Sequence, residues 1–326
     1  MLQSFSLREG HLRRNQIPSK GPGANEIPVD SLWVDILDPT SEEREAVTQL
    51  FGFDPPTRND LAEIEISSRL YDEGGASFMT VLVLSQSETE RPRSQPISFV
   101  LAGERLMTVR YSDPLPFATF THRAERQTNQ WTRGDIILVG LLEAIIERIG
   151  DVLENVGREV EEISEATFAE DGIRNARDYQ RIILRIGKRS DLTSKARESL
   201  LSIGRLLTFL SQALEAKGAT DLRSGIKVMT RDVRSLVDHA TYLSSEISFL
   251  LDAVLGIVSI DESRIIKIFS VVAVVFLPPT LIASVYGMNF EYMPELRWVS
   301  GYPASLALMV ISAVLPYLYF KWRGWM

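Results

Sequence analysis

No cysteine occurs in the 326 residues, which removes disulfide frameworks, cysteine zinc sites and thiol catalysis together. Histidine is nearly as scarce: His11, His122 and His239 are scattered too widely for a histidine-based metal centre. A basic excess is missing too. The 35 Lys and Arg are outnumbered by 43 Asp and Glu, and a formal net charge of −8 argues against a nucleic-acid footprint. There is no Walker loop, no His-Glu-x-x-His pair and no nucleophile elbow, so hydrolase and kinase chemistry have no anchor and an enzyme is not expected. The start, MLQSFSLREGHLRRNQIP, lacks the apolar core of a cleavable signal, and the N-terminal body is expected to stay in the cytosol.

Charge is what the C-terminal end lacks. Residues 265 to 326 carry only Lys267, Glu291, Glu295, Arg297, Lys321 and Arg323, leaving 31 of the basic and 41 of the acidic side chains in residues 1 to 264. From Ile268 to Phe290 run 23 uncharged residues and from Val299 to Phe320 another 22, and about 20 helical residues cross a hydrocarbon core. Two spans are expected, near 266–286 and 302–320, joined by an external loop over 287–301. Trp298, Tyr317, Tyr319, Trp322 and Trp325 sit where interfacial aromatics belong. Arg264 and Lys267 precede the first span, and Lys321 and Arg323 follow the second. The connection sets Arg297 against Glu291 and Glu295, so both termini are expected to be cytoplasmic.

Ahead of the spans the pattern is α/β and then helical. Residues 1 to 30 mix charge with Pro18, Gly21, Pro22, Gly23 and Pro28 and read as an irregular lead-in. Leu32 to Leu37 reads as a strand ending in Asp38-Pro39-Thr40-Ser41-Glu42-Glu43, where the proline breaks the strand and a hydroxyl followed by acids caps a helix that runs to about Phe51. Phe78 to Leu84, Ile97 to Leu101 and Leu106 to Tyr111 read as further strands, completing a cytosolic α/β domain over 1–130. Leu138 to Ile163 and Leu200 to Leu214 repeat apolar residues at steps of three and four, as an antiparallel helix pair broken at Asp171-Gly172. After Gly218 a third seam, Ile226, Met229, Val233, Leu236, Ala240, Leu243, Ile247, Leu250, Val254 and Ile257, belongs to a helix that nothing stops before Pro278. From Asp221 to Tyr286 it would be about 100 Å long. The helical bundle and stalk occupy 131–262 and the membrane domain 263–326.

A second face of that helix is polar. Thr241, Ser245, Ser248, Asp252, Ser259 and Ser263 recur at helical spacing, and Ser270, Ala273, Thr280 and Ser284 continue the stripe into the span. Lipid does not favour it, and it has two readings: tight helix packing or the lining of a wet pore. The stripe ends at Tyr286-Gly287-Met288-Asn289-Phe290, where Asn289 offers a side-chain carbonyl and Gly287 lets the backbone turn. Pro278 and Pro279 free the carbonyls of Val274 and Val275 and suggest a kink.

A Gly-Met-Asn triplet closing the first of two C-terminal spans, behind a long helix and an acidic body, resembles the CorA family of magnesium channels. Residues 265 to 298 resemble its enterobacterial type throughout, and LWVDILDPTSEE resembles it more loosely. Met288 sits where zinc-transporting relatives carry another residue. The resemblance implies Gly287, Met288 and Asn289 as a selectivity filter in which Asn289 and Gly287 meet the metal, with Glu291 and Glu295 in the external loop. It implies a pore lined by Asp252, Ser259, Ser263, Ser270, Ala273, Thr280 and Ser284, and bulky gates at Phe269 and Leu277. It further implies a homopentamer in the lipid of the inner (plasma) membrane. Mg²⁺ would be both substrate and regulatory ligand, with no other cofactor, and Co²⁺ or Ni²⁺ could accompany it. Glu159, Glu161, Glu162, Glu165, Glu170 and Asp171 form a candidate sensor cluster, although such a run is commonly a solvated helix face. Neither span holds a titratable group for proton coupling. The rival readings are a zinc or other divalent-metal transporter of the same superfamily and a membrane-anchored scaffold that conducts nothing.

Overall fold

The structure is a computed structural model, and it describes residues 1–18, 25–63, 65, 68–89, 91–169, 176–216, 222–289 and 293–324, the side chains of residues 176, 177, 216, 295 and 296 apart. It divides into two compact units, Met1–Leu250 and Leu251–Met326.

The first unit is built on a seven-stranded mixed sheet. Its strands are β1 (Leu2–Arg8), β2 (His11–Arg14), β3 (Trp33–Leu37), β4 (Leu70–Glu73), β5 (Ala76–Ser85), β6 (Arg93–Ala102) and β7 (Arg105–Arg110), in the order β2-β1-β3-β7-β6-β5-β4. Only β3 and β7 run parallel, with Trp33 opposite Leu106. The four expected strands are β3, β5, β6 and β7. Helix α1 (Ser41–Phe51) starts at the expected cap: Thr40 Oγ1 accepts from Glu43 N, and the Glu43 carboxylate accepts from Thr40 N. It covers one sheet face over Val34, Ile36, Phe78, Val100 and Val109. Helices α2 (Arg58–Ala62) and α3 (Leu115–Arg126) complete the sheet's connections.

The lead-in expected over residues 1 to 30 is corrected by the structure: its first half is the hairpin β1–β2. Glu9 and Gly10 both adopt positive φ, 52° and 79°, as a two-residue turn between twisted strands requires. The signal was hidden because β1 buries Ser4 and Ser6 beside Leu2 and Phe5, which breaks the apolar alternation. Those hydroxyls are matched from the side, Asn15 Nδ2 donating to Ser4 Oγ at 3.0 Å and to Ser6 Oγ at 2.9 Å. Phe5 stacks on Trp33 at 4.4 Å.

Two features close the far edge of the sheet. Strand β4 pairs with β5 only as far as Met79, so beyond it β5 would present bare amides. Leu82 N–H instead donates to Ser202 Oγ at 3.0 Å, from helix α5 (Ala176–Ala216). Because that amide points away from β6, Leu82 and its partner Pro96 form a non-hydrogen-bonded pair. The proline therefore removes no bond from a strand that β7 has already ceased to flank.

Helix α4 (Gly134–Phe168) and α5 run antiparallel, fastened by Arg189–Glu159 at 2.8 Å and Arg185–Glu162 at 3.4 Å. Helix α6 (Arg223–Tyr286) follows, 64 residues without interruption through Pro278 and Pro279. Of its expected seam, all but the half-buried Leu236 and Ile257 are buried. Small residues let the seam approach α4: a Cβ on Gly150 would lie 3.8 Å from Leu236, and one on Gly157, a heptad later, 3.7 Å from Leu243. The expected helix breaks at Asp171-Gly172 and Gly218, and the start at Asp221, lie outside the described residues.

The second unit contains the end of α6, a 3-10 turn (Pro294–Arg297) and α7 (Gly301–Trp322). Both α6 and α7 are long and apolar enough to cross a membrane.

Candidate functional site

The candidate residues all lie on the part of α6 in the second unit or just beyond it. At 100° per residue, Asp252, Ser259, Ser263, Phe269, Ser270, Ala273, Leu277, Thr280, Ser284 and Gly287 fall within about 120° of the helix circumference. The helix thus presents them as one stripe, shared with Leu255, Glu262, Ile266 and Leu281. Leu277 lies near its middle and Phe269 at its margin. Each of these positions is exposed in the single chain, Leu277 by 65% and Phe269 by 71%, which is costly for apolar side chains in water and marks a face that something else must cover.

Two hydroxyls on this stripe are oriented. Ser270 Oγ donates to Ile266 O at 2.8 Å and Thr280 Oγ1 to Phe276 O at 2.7 Å. A hydroxyl that spends its one proton on the carbonyl a turn earlier is left with lone pairs facing outward. Such an oxygen can accept from the water shell of a cation but has nothing to offer an anion. Periodicity located these residues without revealing that polarity. Nothing in the uncharged segment competes with it: between Lys267 and Glu291 the helix has no ionisable side chain but Tyr286.

The helix ends at the triplet. Gly287 N donates to Ala283 O at 2.9 Å and Met288 N to Val285 O at 3.3 Å, and Met288 and Asn289 follow as exposed, non-helical residues. The chain turns out of the helix at Gly287, and it does so without a left-handed φ. What the glycine supplies is room: a Cβ there would come within 3.1 Å of the Ala283 carbonyl oxygen. Phe290, Glu291, the side chain of Glu295 and Trp325, each given a place by the sequence, lie outside the described residues. Trp298 and Trp322 are exposed on either side of the second apolar helix.

The acidic run on α4 is partly spoken for, since Glu159 and Glu162 face Arg189 and Arg185. Among the described residues no three Asp, Glu or His side chains group as a metal site, and Glu170 and Asp171 lie outside them. A buried charge in the sheet escaped the sequence reading. Arg110, at the end of β7, makes a bidentate pair with Asp35 on β3, with Nη2 2.8 Å from Oδ2. Thr108 Oγ1 donates to Asp35 at 2.6 Å, and the guanidinium lies 4.6 Å over the Phe117 ring. Burial works against the charge of Arg110, but Asp35 and Asp113 outweigh it and hold the group above its ordinary range. Parallel pairing alone brings residues 75 positions apart into this contact.

An α/β body with a helical bundle, carried on one long helix into a pair of apolar helices with an uncharged hydroxyl stripe, defines a membrane-anchored protein of the transporter type. The sequence profile described as CorA-like Mg2+ transporter protein matches residues 30–322. The chain is 34% identical to the magnesium transport protein CorA of Yersinia pseudotuberculosis and 32% identical to that of Escherichia coli K12, over all of each chain. Its fold is that of the CorA magnesium transporter from Methanocaldococcus jannaschii, at a TM-score of 0.76 and 18% identity, covering 100% of this chain and 99% of that one. The chain belongs to the CorA-like Mg2+ transporter family, which is not a class of enzymes.

Proposed function

We propose that the chain is the pore-forming subunit of a Mg²⁺ channel, with the first apolar helix of each copy lining the pathway. The observation that carries this reading is the stripe itself. Its Ser270 and Thr280 hydroxyls turn acceptors outward, no charge interrupts it beyond Lys267, and it ends at a Gly-Met-Asn mouth. A hydrated Mg²⁺ ion presents water O–H groups outward, so acceptor oxygens can hold its shell without stripping it. Gly287 and Asn289 form the outer filter with Met288 between them, and Asp252 begins the lining at the cytosolic end. One helix encloses nothing, so several copies must surround an axis; five is the number the family resemblance supplies. The same exposed apolar surface takes up membrane lipid. The membrane is the inner one, and both termini are cytoplasmic.

Conduction is passive. Neither span carries a group for proton coupling, and a divalent ion falling through 100 mV gains about 4.6 kcal/mol, equivalent to a roughly 2,000-fold accumulation. Co²⁺ and Ni²⁺ pass as hydrated ions of similar size, and cytosolic Mg²⁺ closes the pore. Leu277, central on the stripe, is the apolar barrier that blocks ions by dewetting; Phe269, at its margin, supports it.

The test is Mg²⁺ flux into proteoliposomes at an inside-negative potential. Asn289→Ala should abolish uptake while the oligomer still assembles, and undiminished uptake would remove Asn289 from the filter. Leu277→Asn should leak Mg²⁺ even when the cytosolic face is bathed in Mg²⁺; a fully inhibited variant would place the barrier elsewhere. A wild-type protein that carries no divalent ion would leave the scaffold reading, and one that prefers Zn²⁺ the zinc reading.

A further inference from the structure

A cavity of about 540 Å³ opens in the first unit between the α1–α2 connection and strands β4 and β5. Three aromatic side chains form its wall. Tyr71 and Phe78 stack with ring centroids 4.9 Å apart, and Phe53 meets Phe78 edge-on at 5.3 Å. Carboxylates of Asp54, Asp60 and Glu73 stand around them. The aromatic wall continues the core under α1, but here it is left open.

The charges in the lining have one sign to spare. Arg44 is turned to the backbone, its Nη2 donating to Pro55 O at 2.5 Å and its Nη1 to Pro56 O at 3.4 Å. Asp60 uses one oxygen to cap α2 through Thr57 N at 2.7 Å, and Asp54 uses one for Thr48 Oγ1 at 2.8 Å. Each keeps a second oxygen. Glu73 makes no hydrogen bond or ion pair among the described residues. The surplus is felt by the phenol beside it: burial first, and then the charges of Glu73, Asp60 and Glu63, push the Tyr71 pKa up.

We propose that this cavity binds a small organic cation, an aliphatic ammonium whose charge lies against the Tyr71 ring and whose N–H groups reach Asp60 and Glu73. Ring faces attract a cation that is weakly hydrated and partly apolar, and the volume is that of a small-molecule site. Mg²⁺ fits poorly, because it demands octahedral oxygen ligands and rings supply none. An anion would meet unneutralised carboxylates. The inference concerns the first unit alone and stands whether or not the chain conducts Mg²⁺.

The full chain in a non-ionic detergent, titrated calorimetrically with 1,4-diaminobutane at about 0.15 M salt to screen loose counter-ion association, tests it. Saturable binding of one diamine per chain is expected, with no heat from 1,4-butanediol, which has the same length and no charge. Tyr71→Leu should weaken binding by about tenfold and Glu73→Gln by about threefold, as loss of a ring face and of one charge partner implies. Should Tyr71→Leu fail to fold, the exposed Glu73→Gln still decides. Equal affinity in wild type and variants would reduce the effect to counter-ions of an acidic chain and overturn the proposal. So would binding of the diol, mole-for-mole displacement by MgCl₂, or preferential binding of a proline-rich peptide that the diamine cannot displace.

Discussion

The two units of this chain handle apolar surface in opposite ways. In residues 1–250 the large side chains are enclosed: Trp33, Phe99, Phe120 and Leu141 are essentially inaccessible, and Trp33 Nε1, buried with them, donates to Thr108 Oγ1 at 3.0 Å. In residues 251–326 most large apolar side chains point outward, Val254 and Val271 excepted, and in α7 none is buried. The first is a fold that one copy can complete. The second leaves its apolar side chains and its polar stripe without partners in the single chain, the surface that the proposed pore assigns to lipid and to further copies.

Substitutions can break or sharpen that contrast. The largest loss of stability should follow Asp35→Asn, which strands a buried guanidinium in the sheet. Removal of one member of a buried pair costs about 3 to 5 kcal/mol, so the thermal midpoint of the detergent-solubilised chain should fall steeply, and an unchanged midpoint would mean that Asp113 alone suffices for Arg110. Next comes Gly140→Ala. A Cβ there would stand 2.4 Å from the Trp131 ring and 2.6 Å from that of Phe120, and overpacking of this kind costs about 1 to 3 kcal/mol. Gly256→Ala is the counterpart in the second unit and should have the smallest effect, of opposite sign. Nothing lies within 4 Å of a Cβ at Gly256, so helix propensity alone should raise stability by about 1 kcal/mol. A fall in the assembled protein, with a rise in the dissociated chain, would place another copy against that face.

Residues that look alike in the sequence explain why some elements were legible and others were not. The seam from Ile226 to Leu250 and the capping box at Thr40 depend on neighbours three or four positions away, and both appear where the pattern puts them. The hairpin β1–β2 does not, because Ser4 and Ser6 look solvent-facing until Asn15 is folded over them. Strand β4 and helix α3 were missed for a related reason. Leu70–Glu73 is a four-residue edge with half-exposed side chains, and α3 begins behind Pro114, with Pro116 in its first turn and no side-chain cap. The hydroxyl stripe was legible in position but not in polarity, since the direction of each O–H depends on the carbonyl beneath it.

By itself the sequence determined whatever rests on local spacing and on solvent preference: the two uncharged spans, the long helix, the stripe along it and the triplet at its end. Tertiary structure decided what depends on contacts between distant positions. It joined Asp35 to Arg110 through the parallel pairing of β3 and β7, used Ser202 of α5 to close the edge of β5, and left an aromatic cavity with carboxylates around it between α2 and β4. The physical reason is the range of the forces involved. Helix periodicity and capping act within one turn of the chain, whereas a buried charge or an orphaned amide is stabilised only by a partner that folding brings from elsewhere.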